Sequence, residues 1–253
     1  SLRADGPQFT FDTGPTASAA TVSGRTVTVT TGVQVNGTMH VVTVANSITD
    51  MQGTALGTPS TASFTAFMSP THLVINEIDY DQTGTDGSSF IEIFNPTPVA
   101  ISLADKAIVL VNGGAGGGAG TEYRRVALST AGTELAAGGY LVIRNATVTV
   151  PGGVLTIDQT GDWIQNGGSG LTEPDGVALI DSVNNTLIDA LSYEGSITAA
   201  TITGFAGTVS LVEGTPFTMA DPADDTSSLG RFPNGIDTNN AAADWSVRNP
   251  RTP

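Results

Sequence analysis

Two neighbouring stretches decide the fold: Leu73-Val74-Ile75-Asn76-Glu77-Ile78-Asp79-Tyr80 and Ser89-Phe90-Ile91-Glu92-Ile93-Phe94. Each is a short run rich in β-branched and aromatic residues, closed by turn-forming residues: Asp81 to Gly87 after the first, Asn95-Pro96 after the second. Runs of that length with those boundaries read as strands. Downstream, residues 107–112, 140–144, 177–181 and 187–193 have the same character, and upstream so do 26–30, 39–44 and 63–67. Ser23-Gly24 and Asn36-Gly37 mark turns between the upstream runs. Helical periodicity is almost absent; its best candidate, residues 122–128, reads equally well as a strand. With 31 Gly, 13 Pro and only 13% charged residues, the chain is expected to be an all-β sandwich protein. Pro70 disfavours helix just before the run at Leu73, so the domains are expected at 1–70 and 71–253.

Charge narrows the function classes. Of 24 acidic residues, only Asp5, Asp12 and Asp50 precede residue 70, so the net charge of −15 belongs almost wholly to the second part. A single lysine, Lys106, among nine basic residues argues against direct nucleic-acid binding, which depends on neutralising phosphates. No apolar run reaches the roughly 18 residues that cross a bilayer, so no membrane insertion is expected. The N-terminal residues lack a signal-peptide pattern, and any leader is expected to have been removed. The absence of cysteine excludes disulfides, thiolate nucleophiles and Cys-ligated metals.

The strands at 73–80 and 90–96 resemble the opening of a lamin tail domain, an immunoglobulin-like family found in nuclear lamins and in many secreted bacterial proteins. The resemblance continues through Gly138-Gly139-Tyr140-Leu141-Val142-Ile143, Asp175-Gly176-Val177-Ala178-Leu179-Ile180-Asp181 and Asp189-Ala190-Leu191-Ser192-Tyr193-Glu194-Gly195. It closes with Ser228-Leu229-Gly230-Arg231-Phe232-Pro233-Asn234-Gly235 and the Asp237 to Trp245 segment. Residues 1–70 are similar to the C-terminal portion of bacterial Ig-like domains of S-layer and surface proteins, on Ala20 to Val29, Val42 to Gly53 and Phe64 to Phe67. Together the two resemblances imply an all-β fold of two tandem immunoglobulin-like β-sandwiches, but residues 1–70 are shorter than a seven-stranded sandwich of about 100 residues, so the first strands are expected to be missing.

Candidate chemistry is sparse. The glycine run after Asn112 satisfies G-x-G-x-x-[GA] at Gly114, Gly116 and Ala119, but no βαβ unit surrounds it, so it reads as a loop rather than a phosphate cradle. His40 and His72 sit in no serine-nucleophile context. Glu77 and Glu92, set among apolar neighbours, are expected to be semi-buried and hydrogen-bonded rather than to form a glycosidase pair. The best chemical candidate is a hard-cation site. Asp79-x-Asp81-x-Thr83-Gly84 begins like a calcium loop, with Asp86 nearby, yet its twelfth position is Phe90 where an EF-hand needs glutamate. Asp221, Asp224 and Asp225 form a second acidic loop, and Asp237 to Asp244 a third. Each stands either as a calcium loop, with Asp79, Asp81, Asp86, Asp224, Asp225 and Asp237 as ligands, or as solvated charge.

These observations favour a non-enzymatic extracellular bacterial structural or assembly protein, a self-associating surface or fibre subunit. The alternative is an accessory binding or targeting module of a larger secreted enzyme such as a nuclease or phosphatase, as the lamin-tail resemblance implies. Missing strands leave an open edge that association covers. Self-association is expected through β-strand addition, with Phe9 and Phe11 or the segment from Trp245 onward as the donated strand.

Overall fold

Alternating Thr/Val and Ile/Leu patterns pair into sheets throughout the 253-residue chain. The computed structural model describes all residues except 1–5, 25, 33, 35–37, 51, 56–59, 67–69, 115–117 and 168–171. The Asn36-Gly37 turn and Gly116 of the glycine run lie outside the described residues. The chain divides into two compact units, Ser1–Met68 and Ser69–Pro253.

In the first unit, β1 (Phe9–Phe11), β2 (Ala17–Ser23), β3 (Thr26–Thr31), β4 (Met39–Val44) and β5 (Thr61–Thr65) form two small antiparallel sheets. One has the order β1-β4-β5, and the other is the β2-β3 hairpin.

The second unit contains β6 (Val74–Asp79), β7 (Phe90–Phe94), β8 (Ile101–Ser102), β9 (Lys106–Asn112), β10 (Ala119–Ala127), β11 (Glu134–Leu135), β12 (Tyr140–Asn145) and β13 (Leu155–Gln159). It continues with β14 (Asp175–Asp181), β15 (Thr186–Tyr193), β16 (Ala199–Thr201), β17 (Ser228–Arg231), the short helix α1 (Ala241–Asp244) and β18 (Trp245–Arg248). The segment read ambiguously at 122–128 is strand β10, ending in a single 3₁₀ turn at Leu128–Thr130.

A six-stranded sheet, β13-β12-β7-β6-β17-β18, faces a five-stranded one, β15-β14-β9-β10-β16. Ile91, Ile93, Leu141 and Ile143 from the first meet Ile108, Leu110, Val177, Leu179 and Leu191 from the second, all fully buried. Each such side chain contributes roughly 1.5–3 kcal/mol by leaving water. The result is an immunoglobulin-like β-sandwich. β9 is apolar on both faces because both are covered: Ala107, Val109 and Val111 point away from the main core, into a second cluster sealed by Ile197, Ile202 and Leu211.

A bulge in β6 shifts its register against β7 between Ile75 and Glu77. Simple alternation puts Glu77 on the face of Ile75, whereas the extra residue lets Ile75 and Ile78 both enter the core and leaves Glu77 opposite Glu92.

Candidate functional site

The bulge places Glu77 and Glu92 side by side, 2% and 3% exposed. Glu77 accepts from the Ser228 hydroxyl and from the Thr252 amide and hydroxyl, each at 2.7 Å, and Glu92 accepts from Asn76 Nδ2 at 2.7 Å. Burial, reinforced by Glu77, pushes the Glu92 carboxyl up to about 8. Hydrogen-bonded burial is therefore their state, with Ser, Thr and Asn as donors.

Two of the three acidic loops meet. Asp221 Oδ2 accepts from the Tyr80 amide at 2.8 Å and the Asp81 amide at 3.3 Å, and Asp225 Oδ1 accepts from the Thr83 amide at 3.3 Å. Asp79, wholly buried, pairs with Arg251 and Gln82. Asp86 Oδ1 takes the Gln82 amide at 2.8 Å, and Asp224 Oδ1 takes the Thr226 and Ser227 amides at 2.7 Å. Asp86 and Asp224 thus satisfy backbone donors inside their own loops, Asp224 as an Asx turn, whereas Asp221 and Asp225 serve the opposite loop. Burial lifts Asp79 to about 6 against the pull of Arg251, and lifts Asp221, with Asp79 beside it, to about 9.

Asp237 lies elsewhere, in a knot around Arg231. That guanidinium, 1% exposed, uses all five N–H donors. Nε bonds Ile75 O at 2.9 Å, Nη1 bonds Ile236 O at 3.0 Å and Asp244 at 3.1 Å, and Nη2 bonds Asp189 at 2.7 Å and Glu213 at 3.4 Å. Asp237 is 3.5 Å from Nη1 and 3.6 Å from His72 Nε2. Asp189, Glu213 and Asp237 bring three oxygens within 4.8 Å of one another, but the cation they serve is the guanidinium. Burial, with Asp189 adjacent, pushes Glu213 up to about 9, so it is protonated at neutral pH and bonds to Asp189.

Sequence reasoning missed a cavity of about 350 Å³ lined by Asn112, Gly114, Gln165, Asn166, Gly167, Glu173 and Asp175. Asp175 opens β14 and pairs in register with Asn112 of β9 and Tyr193 of β15. Next to it Glu194, at φ 57, turns its carboxylate onto the Gly167 amide. The only sequence signal was the Asp175-Gly176 and Tyr193-Glu194-Gly195 motifs, noted for resemblance and not for chemistry.

In the first unit, Phe9, Phe11, Val42, Val44 and Phe64 of one sheet face Val27 and Val29 of the other across an apolar cavity of about 370 Å³. Phe9 is buried, but the others remain partly exposed, Val27 at 45%. Phe9 and Phe11 thus pair with β4 in their own unit and line a groove rather than extending as an arm. Trp245 is also retained internally. It is 4% exposed, β18 is paired to β17, and Arg231 stacks over its ring at 5.1 Å. Beyond it, Arg251 and Thr252 bind Asp79 and Glu77. In this structure the C-terminal segment serves its own sandwich, whose buried carboxylates take those donors.

Fold and sites define an immunoglobulin-like sandwich module whose buried acids are mostly structural. The lamin tail domain model matches residues 67–195, and the chain belongs to that family. The match ends before β17, so the motif around Arg231 lies beyond it. A comparison with curated proteins gives no match. Among the described residues, no helix is long and apolar enough to cross a membrane.

Proposed function

We propose that the chain is a non-enzymatic structural module of an extracellular bacterial assembly, associating with further copies of itself by β-strand addition at the first unit. The observation that carries this reading is the apolar groove between β1-β4-β5 and the β2-β3 hairpin. A finished sandwich buries such residues, as the second unit does, whereas here Phe11, Val27, Val29, Val42, Val44 and Phe64 keep contact with solvent. Among the described residues, β1 and β5 each have one edge without a partner strand. Open edges beside apolar surface are what β-augmentation completes. The low charge density and Thr-rich strands suit an extracellular spacer.

Sedimentation velocity and electron microscopy of the chain at micromolar concentration test the reading. Concentration-dependent oligomers that Val42→Asp abolishes, with the second unit still folded, support it. A monomer at all concentrations overturns it. If a longer parent polypeptide stays monomeric because its upstream residues fill the groove, the accessory-module reading replaces it.

A further inference from the structure

We propose that the cavity at the N-terminal end of β14 is a calcium site, with Asp175 and Glu194 as its charged ligands and Glu173, Asn166 and Gln165 around it.

The argument starts from Asp175. It is 4% exposed, and among the described residues its buried Oδ1 has no hydrogen-bond partner. A carboxylate oxygen in that state loses its hydration and receives nothing in exchange, which native structures rarely tolerate. The side chain cannot swing out, because its backbone is held from both sides by β9 and β15. Among the described residues, none lining the cavity is basic, so none of their side chains offers compensating charge.

The surroundings add negative charge. Glu173 lines the same cavity, and Glu194 accepts from the amide of Gly167, one of its lining residues. Burial and Glu173 push Asp175 up to about 7; burial, with Asp175 and Asp81, pushes Glu194 to about 7. Asp81, Asp86 and Asp162 interact nearby, Asp86 raising the other two, and extend an acidic field that attracts cations.

The available donors are carboxylate and amide oxygens with no sulfur or imidazole, which selects a hard ion. Among the described residues, the one carboxylate triad within 4.8 Å is that around Arg231. Among the described residues the cavity offers no such triad, so amide oxygens of Asn166 and Gln165 and water complete the coordination. Calcium accepts six to eight oxygens in irregular geometry, whereas magnesium requires a compact octahedron. Affinity in the class of extracellular modules follows, with Kd roughly 10⁻⁴–10⁻³ M.

The experiment is calorimetric titration of the calcium-stripped chain with calcium, alongside thermal unfolding in calcium and in chelator. Expected results are a single saturable site and a Tm that rises with calcium by mass action. Asp175→Asn should weaken binding by more than about tenfold, since losing a charged ligand costs at least as much as losing an outer-shell partner. It should also raise the Tm in mildly alkaline chelator, because it removes a buried acid whose ionised form nothing in the cavity wall compensates. Asp225→Asn, in the loop that engages Thr83, should bind as the unaltered chain does. If Asp175→Asn does not fold, Glu194→Gln takes its place with the same expected loss of binding. The proposal is overturned by a Tm indifferent to calcium, by full binding in the folded cavity variant, by equal loss in Asp225→Asn, or by an equal response to magnesium.

Discussion

Arg231 shows what one side chain does in this sandwich. Its guanidinium joins β17 to the Ile75 carbonyl of β6 and to Asp189 of β15, so it ties the two sheets as well as the Ile236 to Asp244 segment. Asp189 in turn accepts the Ile75 amide at 2.6 Å. The geometry needs a planar fork with five donors, and lysine offers three from a single point. Arg231→Lys is expected to destabilise the second unit by about 3–5 kcal/mol, the cost of breaking a buried pair and leaving its partner uncompensated. Arg125→Lys, at the part-exposed pair with Glu122, should cost less than about 1 kcal/mol. Urea denaturation of both variants checks the contrast. The position of Arg231 was legible as a motif residue, but its role was not. Its acidic partners come from residues 189, 213, 237 and 244, and only folding brings them to one point.

At the scale of elements, the outer face of the five-stranded sheet is the informative case. The strand at 107–112 was legible from its β-branched run, and that run being apolar on both faces implied cover on both sides. The cover is supplied by the irregular 197–211 segment, whose Ala200 and Val209 form an isolated bridge. The cover packs directly on the backbone of Gly176, where a Cβ would meet Leu211 Cδ1 at 2.7 Å and the Leu191 carbonyl oxygen at 3.2 Å. Leu211→Ala should cost about 2–5 kcal/mol through the cavity it leaves. Met219→Ala, 47% exposed, should stay within about 0.5 kcal/mol. Chemical denaturation midpoints with unchanged slopes would establish the difference. The β6 bulge was not legible, because a period-two pattern carries no mark of an inserted residue until the partner strand fixes the register.

For the molecule as a whole, the net charge of −15 and a set of buried acids make stability depend on pH. Asp79 at about 6, Asp175 and Glu194 at about 7, Glu92 at about 8, and Glu213 and Asp221 at about 9 all lie above their ordinary values. The folded state therefore holds more protons than the unfolded one above about pH 4. The stability these groups contribute is fully present below that pH and is lost as pH rises through about 6 to 9. In chelator, Tm measured by scanning calorimetry should fall steadily from mildly acidic to mildly alkaline buffer. Calcium should reduce the fall, since two of the six acids would ionise onto the ion. A Tm that rises over the same range would contradict the assignment of these groups as buried and protonated.

The sequence by itself determined that the chain is β-rich, where most long strands lie, that its charge falls in the second part, and which family its motifs resemble. Those properties are carried by neighbours along the chain: alternation, turn residues, local composition. Tertiary structure alone decided which acids are paired. The 79–86 and 221–225 loops, far apart in sequence, share hydrogen bonds, while Asp237 goes to Arg231 and Asp175 is left with an unpartnered oxygen. It also decided that the segment from Trp245 onward stays with its own sandwich and that Phe9 and Phe11 line a groove. Burial and pairing of a polar group depend on distances across sheets, and a linear pattern contains no such distances until the sheets have packed.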